Sequence, residues 1–327
     1  MLRLFAQGGF AATTQARFRW QVLSRPSPAP TAWVAEAGGQ IVGTYCGTPL
    51  RLRLCGADTL GIHGSHAMTS PGLRRQGILT AVAGAAQAAW AAAGFRLQIG
   101  VPWGTWGSRR RALGWLRVTD LVWLQRWLSP ERVVARRLRL PRGLPIPRVW
   151  DRLLPEPPPD PAVRVRLLDT PEPELDDLWA RLAPSWQHAV VRDAAWLEWR
   201  YFAVPQSPYR VLLAERSGQP AGYLALKVQA GRNGSLVGWI ADLLAASAAD
   251  DRALVRAGLA HLRAAGVERV RALVAPESPM HQALLAAGFS GAGGGDFAVV
   301  PLDPGLPLHE VTRADGWLVS GGDFDVL

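Results

Sequence analysis

Residues 62–115 read IHGSHAMTSPGLRRQGILTAVAGAAQAAWAAAGFRLQIGVPWGTWGSRRRALGW, and their order decides the fold. An extended segment runs through Ala67, Met68 and Thr69 into a turn at Pro71 and Gly72. A basic loop, Arg74-Arg75-Gln76-Gly77, then opens directly into a long alanine-rich helix starting at Ile78 and Leu79. The first turn of a helix leaves backbone N–H groups without intrahelical partners and carries partial positive charge, so a loop feeding that end can hold a phosphate. Gly77 lets the backbone come close. Downstream, residues 95–101 read as a strand, 102–104 as a turn and 108–113 as a short helix closed by Leu113-Gly114-Trp115.

This succession resembles the acetyl-coenzyme A loop of the GNAT superfamily of N-acyltransferases, whose pattern is Gln/Arg-x-x-Gly-x-Gly/Ala. Arg74 and Gly77 match, whereas Leu79 stands where the family prefers a small residue. The resemblance implies a mixed α/β fold of α+β type with a central sheet flanked by helices. It also implies that Ala67, Met68 and Thr69 pair with the pantetheine arm of acetyl-CoA, the co-substrate. Arg74, Arg75, Gln76, Gly77, Ile78 and Leu79 would then hold its pyrophosphate.

A length of 327 residues suits two domains, and a hydrophobic content of 49% is enough for two cores. No apolar run reaches the roughly 18 residues of a membrane span. Residues 1–20 lack the pattern of an export signal, so a cytoplasmic location is expected. Cys46 and Cys55 are too few for a disulfide framework and have no ligand neighbours at metal spacing; both read as buried thiols, and no metal site is expected. The net charge of +10 comes almost wholly from arginine, Lys227 being the only lysine, in a chain also rich in Ala, Gly and Pro. That is a compositional bias. No nucleic-acid motif accompanies it, so nucleic acid is not expected as a partner.

The chain divides into a first domain at 1–128, a proline- and arginine-rich linker at 129–161 and a second domain at 162–327. In the first, residues 5–20 read as helical, Gly38-Gly39 as a hairpin turn between apolar runs, Gly43 as a bulge or close approach, and residues 117–127 as the strand that completes the unit. The second half repeats the order: a strand at 163–169, helices at 172–183 and 193–202, a hairpin turning at Ser217-Gly218, a strand at 236–244, a helix at 250–265, a strand at 267–275 and a short helix ending in Ala287-Gly288-Phe289. It resembles a second GNAT-like domain. Its corresponding loop, residues 245–251, has neither the arginine nor the glycine, and Asp250 and Asp251 would repel a pyrophosphate. The expectation is a tandem pair with one degenerate member.

The resemblance implies transfer of an acyl group, usually acetyl, to an amine, an acyltransferase reaction on amino groups. The amine must lose a proton, the oxyanion needs donors and the leaving thiolate must gain a proton. His63 and His66 lie on the strand leading to the loop and are candidate bases. The family's usual tyrosine acid is missing from residues 106–113, leaving Ser108 as the candidate there. Asp242, polar in an apolar run, is a further catalytic candidate or a structural partner of an arginine. The ending DGWLVSGGDFDVL is too apolar for a frayed tail and resembles the ending of some tandem GNAT-like proteins. It is expected to dock between the domains near the cofactor loop, with Trp103, Asp323 and Asp325 meeting a small-molecule amine or amino-sugar acceptor. Two other readings stand beside this one: a GNAT scaffold that has become a binding or regulatory protein, and a transferase taking its acyl group from aminoacyl-tRNA.

Overall fold

The computed structural model describes residues 1–7, 13–102, 111–129, 138, 160–206, 208–231, 234–291 and 293–324. The expected linker, apart from residues 129, 138, 160 and 161, lies outside them, as do Trp103, Ser108 and Asp325. The chain opens with helices α1 (Leu2–Gln7) and α2 (Gln15–Phe18), the latter continuing as a π turn over Arg19–Leu23. Thr14 caps α2 by accepting from Arg17 N at 3.2 Å, so the helical stretch expected over 5–20 is interrupted by a fresh start.

Strands β1 (Ala32–Ala37), β2 (Gln40–Leu54) and β3 (Ala57–Thr69) form an antiparallel meander. Its turns are set by residues that tolerate positive φ: Gly38 and Gly39 at 57° and 74°, then Cys55 and Gly56 at 50° and 79°. Cys55 therefore sits exposed on a turn, against the expectation of a buried thiol, while Cys46 is buried in β2. Helix α3 (Ile78–Ala92) packs Val82, Ala83, Ala86 and Trp90 onto the sheet, and β4 (Leu97–Gly100) returns parallel to β3.

At this point the structure departs from the sequence reading. Residues 117–127 are two strands, β5 (Leu116–Asp120) and β6 (Val122–Trp127), and the break at Leu121 sends them to different sheets. The second half supplies β7 (Val163–Leu168), α4 (Glu174–Leu182), β8 (His188–Val190), α5 (Ala194–Leu197), β9 (Tyr209–Arg216), β10 (Gln219–Ala230), β11 (Leu236–Ala245), α6 (Ala248–Ala264), β12 (Arg269–Val274), α7 (Pro279–Ala286), β13 (Ser290–Gly291), β14 (Asp296–Pro301), α8 (Leu308–Val311) and β15 (Trp317–Leu318). The first sheet runs β15-β8-β2-β3-β4-β14-β5, with β1 on β2. The second runs β13-β6-β12-β11-β10-β9-β7.

Each half therefore gives a strand to the other. β6 lies between β12 and β13, pairing antiparallel with β12 from Val122–Val274 to Trp127–Arg269. β14 lies between β4 and β5, with Val299 opposite Ile99 and Leu116. Strand β6 belongs in sequence to the segment before the linker, so the serial division at 128 and 162 cuts through both sheets. An apolar strand meets the demand for burial equally well in either sheet, and only the partner edge chooses between them. The largest core cluster spans the junction, joining Leu52, Ile99 and Val299 of the first sheet to Tyr223, Ala241 and Leu273 of the second.

Candidate active site

The parallel pair β3–β4 keeps register only over Gly61–Leu97, Ile62–Gln98 and His63–Ile99. Beyond His63 the strands part, while β3 runs on to Thr69 and leaves a wedge in the sheet. A β-bulge at this point places His66 at φ 49° and shifts the β2–β3 register between Thr44 and Cys46. Thr44 Oγ1 donates to the His66 carbonyl at 2.7 Å, fixing the distortion.

The wedge leads to the basic loop. Pro71, Gly72, Arg74, Arg75, Gln76 and Gly77 are exposed, with Arg75 at φ 66° and Gly77 at φ 81°. Gly77 is the N-cap of α3 and has no side-chain cap, so the first N–H groups of that helix face the loop without a competing acid. Leu79, the departure from the family pattern, packs with Ile78 against the cluster under α3. It is directed to the core.

The matching place in the second half is closed twice over. Ser247 caps α6 by accepting from Asp250 N at 3.3 Å and donates to the Asp250 carboxylate at 2.5 Å, while Arg216 holds the same carboxylate at 3.0 Å. The second sheet also has a wedge, since β11 and β12 pair in parallel only from Val237–Arg269 to Ile240–Ala272. The tail fills it. Ser320 bridges to Val274 and donates to Asp242 Oδ1 at 2.8 Å. Gly322 lies so close that a Cβ there would come within 2.3 Å of the Tyr201 hydroxyl.

The sequence-predicted residues fall into separate groups. His63 is buried at the vertex of the first wedge and faces Phe324, with ring centroids 5.7 Å apart. His66 instead packs between Phe5 and Phe18, at 5.0 and 5.5 Å, with Ser65 Oγ 3.0 Å from its Nδ1. Asp242 is fully buried and occupied: Tyr223 donates at 2.6 Å, Tyr201 and Arg192 at 3.2 Å, and Leu243 N at 3.1 Å. Asp323 is held by Arg192 Nη2 at 2.8 and 2.9 Å and by Ser320 N at 2.8 Å.

One guanidinium thus serves two buried carboxylates. Burial opposes the charge on Asp242, but Arg192 and the hydrogen bonds from Tyr223 and Ser320 outweigh it and hold that group below the usual carboxylate range. Burial, only partly offset by Arg192 and reinforced by Asp242, pushes Asp323 up to about 6. The second carboxylate has to share a cation already engaged.

Between the halves, a partly open cleft is lined by His63, Thr48 and Leu50 from the first sheet, Asp323 and Phe324 from the tail, and Arg17, Trp20, Trp196, Trp199 and Arg200. The last three sit on one short helical stretch. Asp193 caps α5 by accepting from Trp196 N at 2.8 Å, and a π turn over Glu198–Phe202 follows. Trp199 stacks on Trp20 at 4.8 Å and 16°, while Arg200 donates to the carbonyls of Gly322 at 2.7 Å and Phe324 at 2.9 Å. Sequence reading passed over Arg192 and Arg200 because arginine is common throughout the chain. The spacing Trp196, Trp199, Arg200 was the available signal, since i, i+3 and i+4 share a helix face.

A mixed sheet opened by a wedge, with a basic loop and an uncapped helix start beyond it, defines the GNAT fold, present here in tandem. Residues 2–116 match the family model described as an acetyltransferase (GNAT) domain. No curated protein matches the sequence. Among solved structures, the chain is similar to a GCN5-related N-acetyltransferase from Anabaena variabilis, with 10% identity, 92% of this chain and 69% of that chain covered, and a TM-score of 0.67. It is also similar to a tandem GNAT protein from the clavulanic acid biosynthesis pathway, with 16% identity, 93% and 94% coverage and a TM-score of 0.58. The N-myristoyltransferase of Saccharomyces cerevisiae, solved with bound myristoyl-CoA and inhibitors, shares 11% identity over 88% of this chain and 71% of that one, with a TM-score of 0.58. At these identities the likeness is one of fold. No helix among the described residues is long and apolar enough to cross a membrane.

Proposed function

We propose that the protein transfers an acyl group, acetyl from acetyl-CoA, to the amine of a small molecule such as an amino sugar or other primary amine. The observation that carries this reading is the continuity of the wedge after His63 with the exposed loop at Arg74–Gly77 and the uncapped start of α3. The pyrophosphate takes the N–H groups of Gly77, Ile78 and Leu79, with Arg74, Arg75 and Gln76 around it. The pantetheine arm lies along Ala67, Met68 and Thr69 and carries the thioester toward the vertex of the wedge, where the cleft opens.

The amine nitrogen attacks the thioester carbonyl carbon, the C–N bond forms, and backbone N–H groups on the free edge of β3 stabilise the oxyanion. His63 accepts the ammonium proton, the C–S bond breaks and the thiolate takes up a proton. Ser108 remains the candidate donor for that last transfer. His66, held between two phenyl rings, sets the bulge.

Calorimetry with acetyl-CoA and a thiol-release assay over a panel of amines test the reading. Binding of acetyl-CoA in the micromolar range is expected, and His63→Gln should lower kcat by about a hundredfold while leaving the dissociation constant in place. A protein that binds no acetyl-CoA removes the proposal and leaves the scaffold as a binding or regulatory module.

A further inference from the structure

The lining of the cleft holds a buried polar atom that the fold itself does not use. Thr48 is 2% exposed and lines the cleft, and its hydroxyl has no hydrogen-bond partner among the described residues. Packing does not call for threonine at this point of β2. Valine has nearly the same shape and an equal preference for strands, with no hydroxyl to strip of water. Burying a hydroxyl without a partner costs stability, so the group calls for a reason outside the fold. Trp196 Nε1, which can only donate, is the other atom of this kind in the lining, and a cleft edged by both suits a polar guest.

Thr48 also has a particular neighbour. In the antiparallel β2–β3 pair it stands directly opposite His63, the last residue of β3 in register with β4 before the wedge opens. Side chains directly opposite share a face with their Cβ atoms about 4.5–5.5 Å apart, so one small group between them can touch both. When a primary amine attacks the thioester, its nitrogen gains the C–N bond and a positive charge and keeps two N–H bonds. One proton passes to His63, and as the C–S bond breaks its electron pair leaves on sulfur. The second N–H stays, and a threonine oxygen can accept it. We infer that Thr48 Oγ1 accepts this second N–H and so holds the attacking nitrogen beside His63 with its lone pair toward the thioester, which selects primary over N-alkylated amines. Thr48 neither gives nor takes a proton. A secondary amine keeps one N–H after attack, and passing it to His63 leaves the Thr48 oxygen unpaired. The inference rests on the acyl-transfer reading above and gives the acceptor nitrogen a second anchor.

Thr48→Val and Thr48→Ser test it in the full-length protein with saturating acetyl-CoA, on glucosamine, benzylamine and tryptamine, each set against its N-methyl derivative. Thr48→Val should lower kcat/KM for the primary amines by about tenfold and leave the N-methyl amines near their parent values, so that the preference narrows. Its melting temperature should be no lower than the parent's, because an unpaired hydroxyl has been removed, and its acetyl-CoA dissociation constant should not move. Thr48→Ser keeps the hydroxyl and should keep the preference. A purely structural hydroxyl predicts the reverse pattern: Thr48→Val melts lower or does not fold, and the two classes of amine slow together. That pattern, or primary amines turned over by Thr48→Val as fast as by the parent, would overturn this inference and leave the acyltransferase reading standing. Failure to bind acetyl-CoA or to acylate any amine overturns both.

Discussion

The ring of Phe324 lies 5.7 Å from that of His63, so the last described residues of the chain close on the strand position where the first sheet opens. Phe324 also touches Phe297 of the exchanged strand β14 at 5.8 Å and is only 2% exposed. Replacing it should separate chemistry from cofactor binding. Phe324→Leu keeps most of the volume and is expected to reduce kcat several-fold with the acetyl-CoA affinity unchanged; Phe324→Ala should in addition cost about 3 kcal/mol of stability. Single-turnover kinetics with calorimetry read the first and a denaturant titration the second.

Gly77 offers a test of the loop that does not depend on crowding. A Cβ at this position meets nothing within 4 Å, but φ is +81°, a region that costs an ordinary L residue about 1–2 kcal/mol. Gly77→Val should weaken acetyl-CoA binding by about tenfold or more, whereas Gly77→Asn, which tolerates that conformation, should retain most of it. Equal affinities for the two variants in calorimetry would mean that the loop geometry is not used.

A third test concerns pH and the second half. Asp251 is pushed up to about 6, first by burial and then by the charge of Asp250. Its folded form thus keeps a proton that the unfolded chain releases near pH 4. Stability from this group is full below that pH, falls as pH rises through about 6 and stays low above it. Asp251→Asn should therefore gain about 3 kcal/mol over the parent at pH 8 and little at pH 4. Melting temperatures of both proteins across that range read the difference, and parallel curves would contradict it. Asp323 titrates in the same direction and is common to both.

The exchanged strands predict how the chain behaves when cut. A fragment of residues 1–129 lacks β14 from between β4 and β5, and a fragment of residues 160–327 lacks β6 from beside β12. Each would leave the ladder edge of β4 or of β12 without its partner strand. Neither fragment alone should give a cooperative thermal transition, while co-expression should yield a folded complex. A cooperative melt from either piece by itself would show that the exchanged strand is dispensable.

Much of the first sheet was legible because its signals are local. Gly38-Gly39 marks a turn, Gly77 marks the entry to α3, and the Leu113-Gly114-Trp115 ending has its counterpart at Ala287-Gly288-Phe289. The close approach read at Gly43 is present too, since a Cβ there would lie 2.7 Å from Ile78 Cγ2. The destination of residues 122–127 was not legible. Their alternation says only that Leu124 and Arg126 share a face, and nothing in it names the sheet. The site divided in the same way. Tail docking followed from apolar residues where a free end would be polar, whereas the buried triad of Arg192, Asp242 and Asp323 joins positions far apart in the chain and required the fold itself.

The strand exchange also limits how a molecule can reach the cleft. In many two-part enzymes the parts swing apart on a hinge and close again. Pulling residues 1–129 from 160–324 would tear the six-residue pairing of β6 with β12 and that of β14 with both its neighbours. Any opening must therefore carry β6 with the second sheet and β14 with the first, bending the chain at Leu121 where β5 gives way to β6. The units that could move are the two sheets, each holding a strand from the other end of the chain.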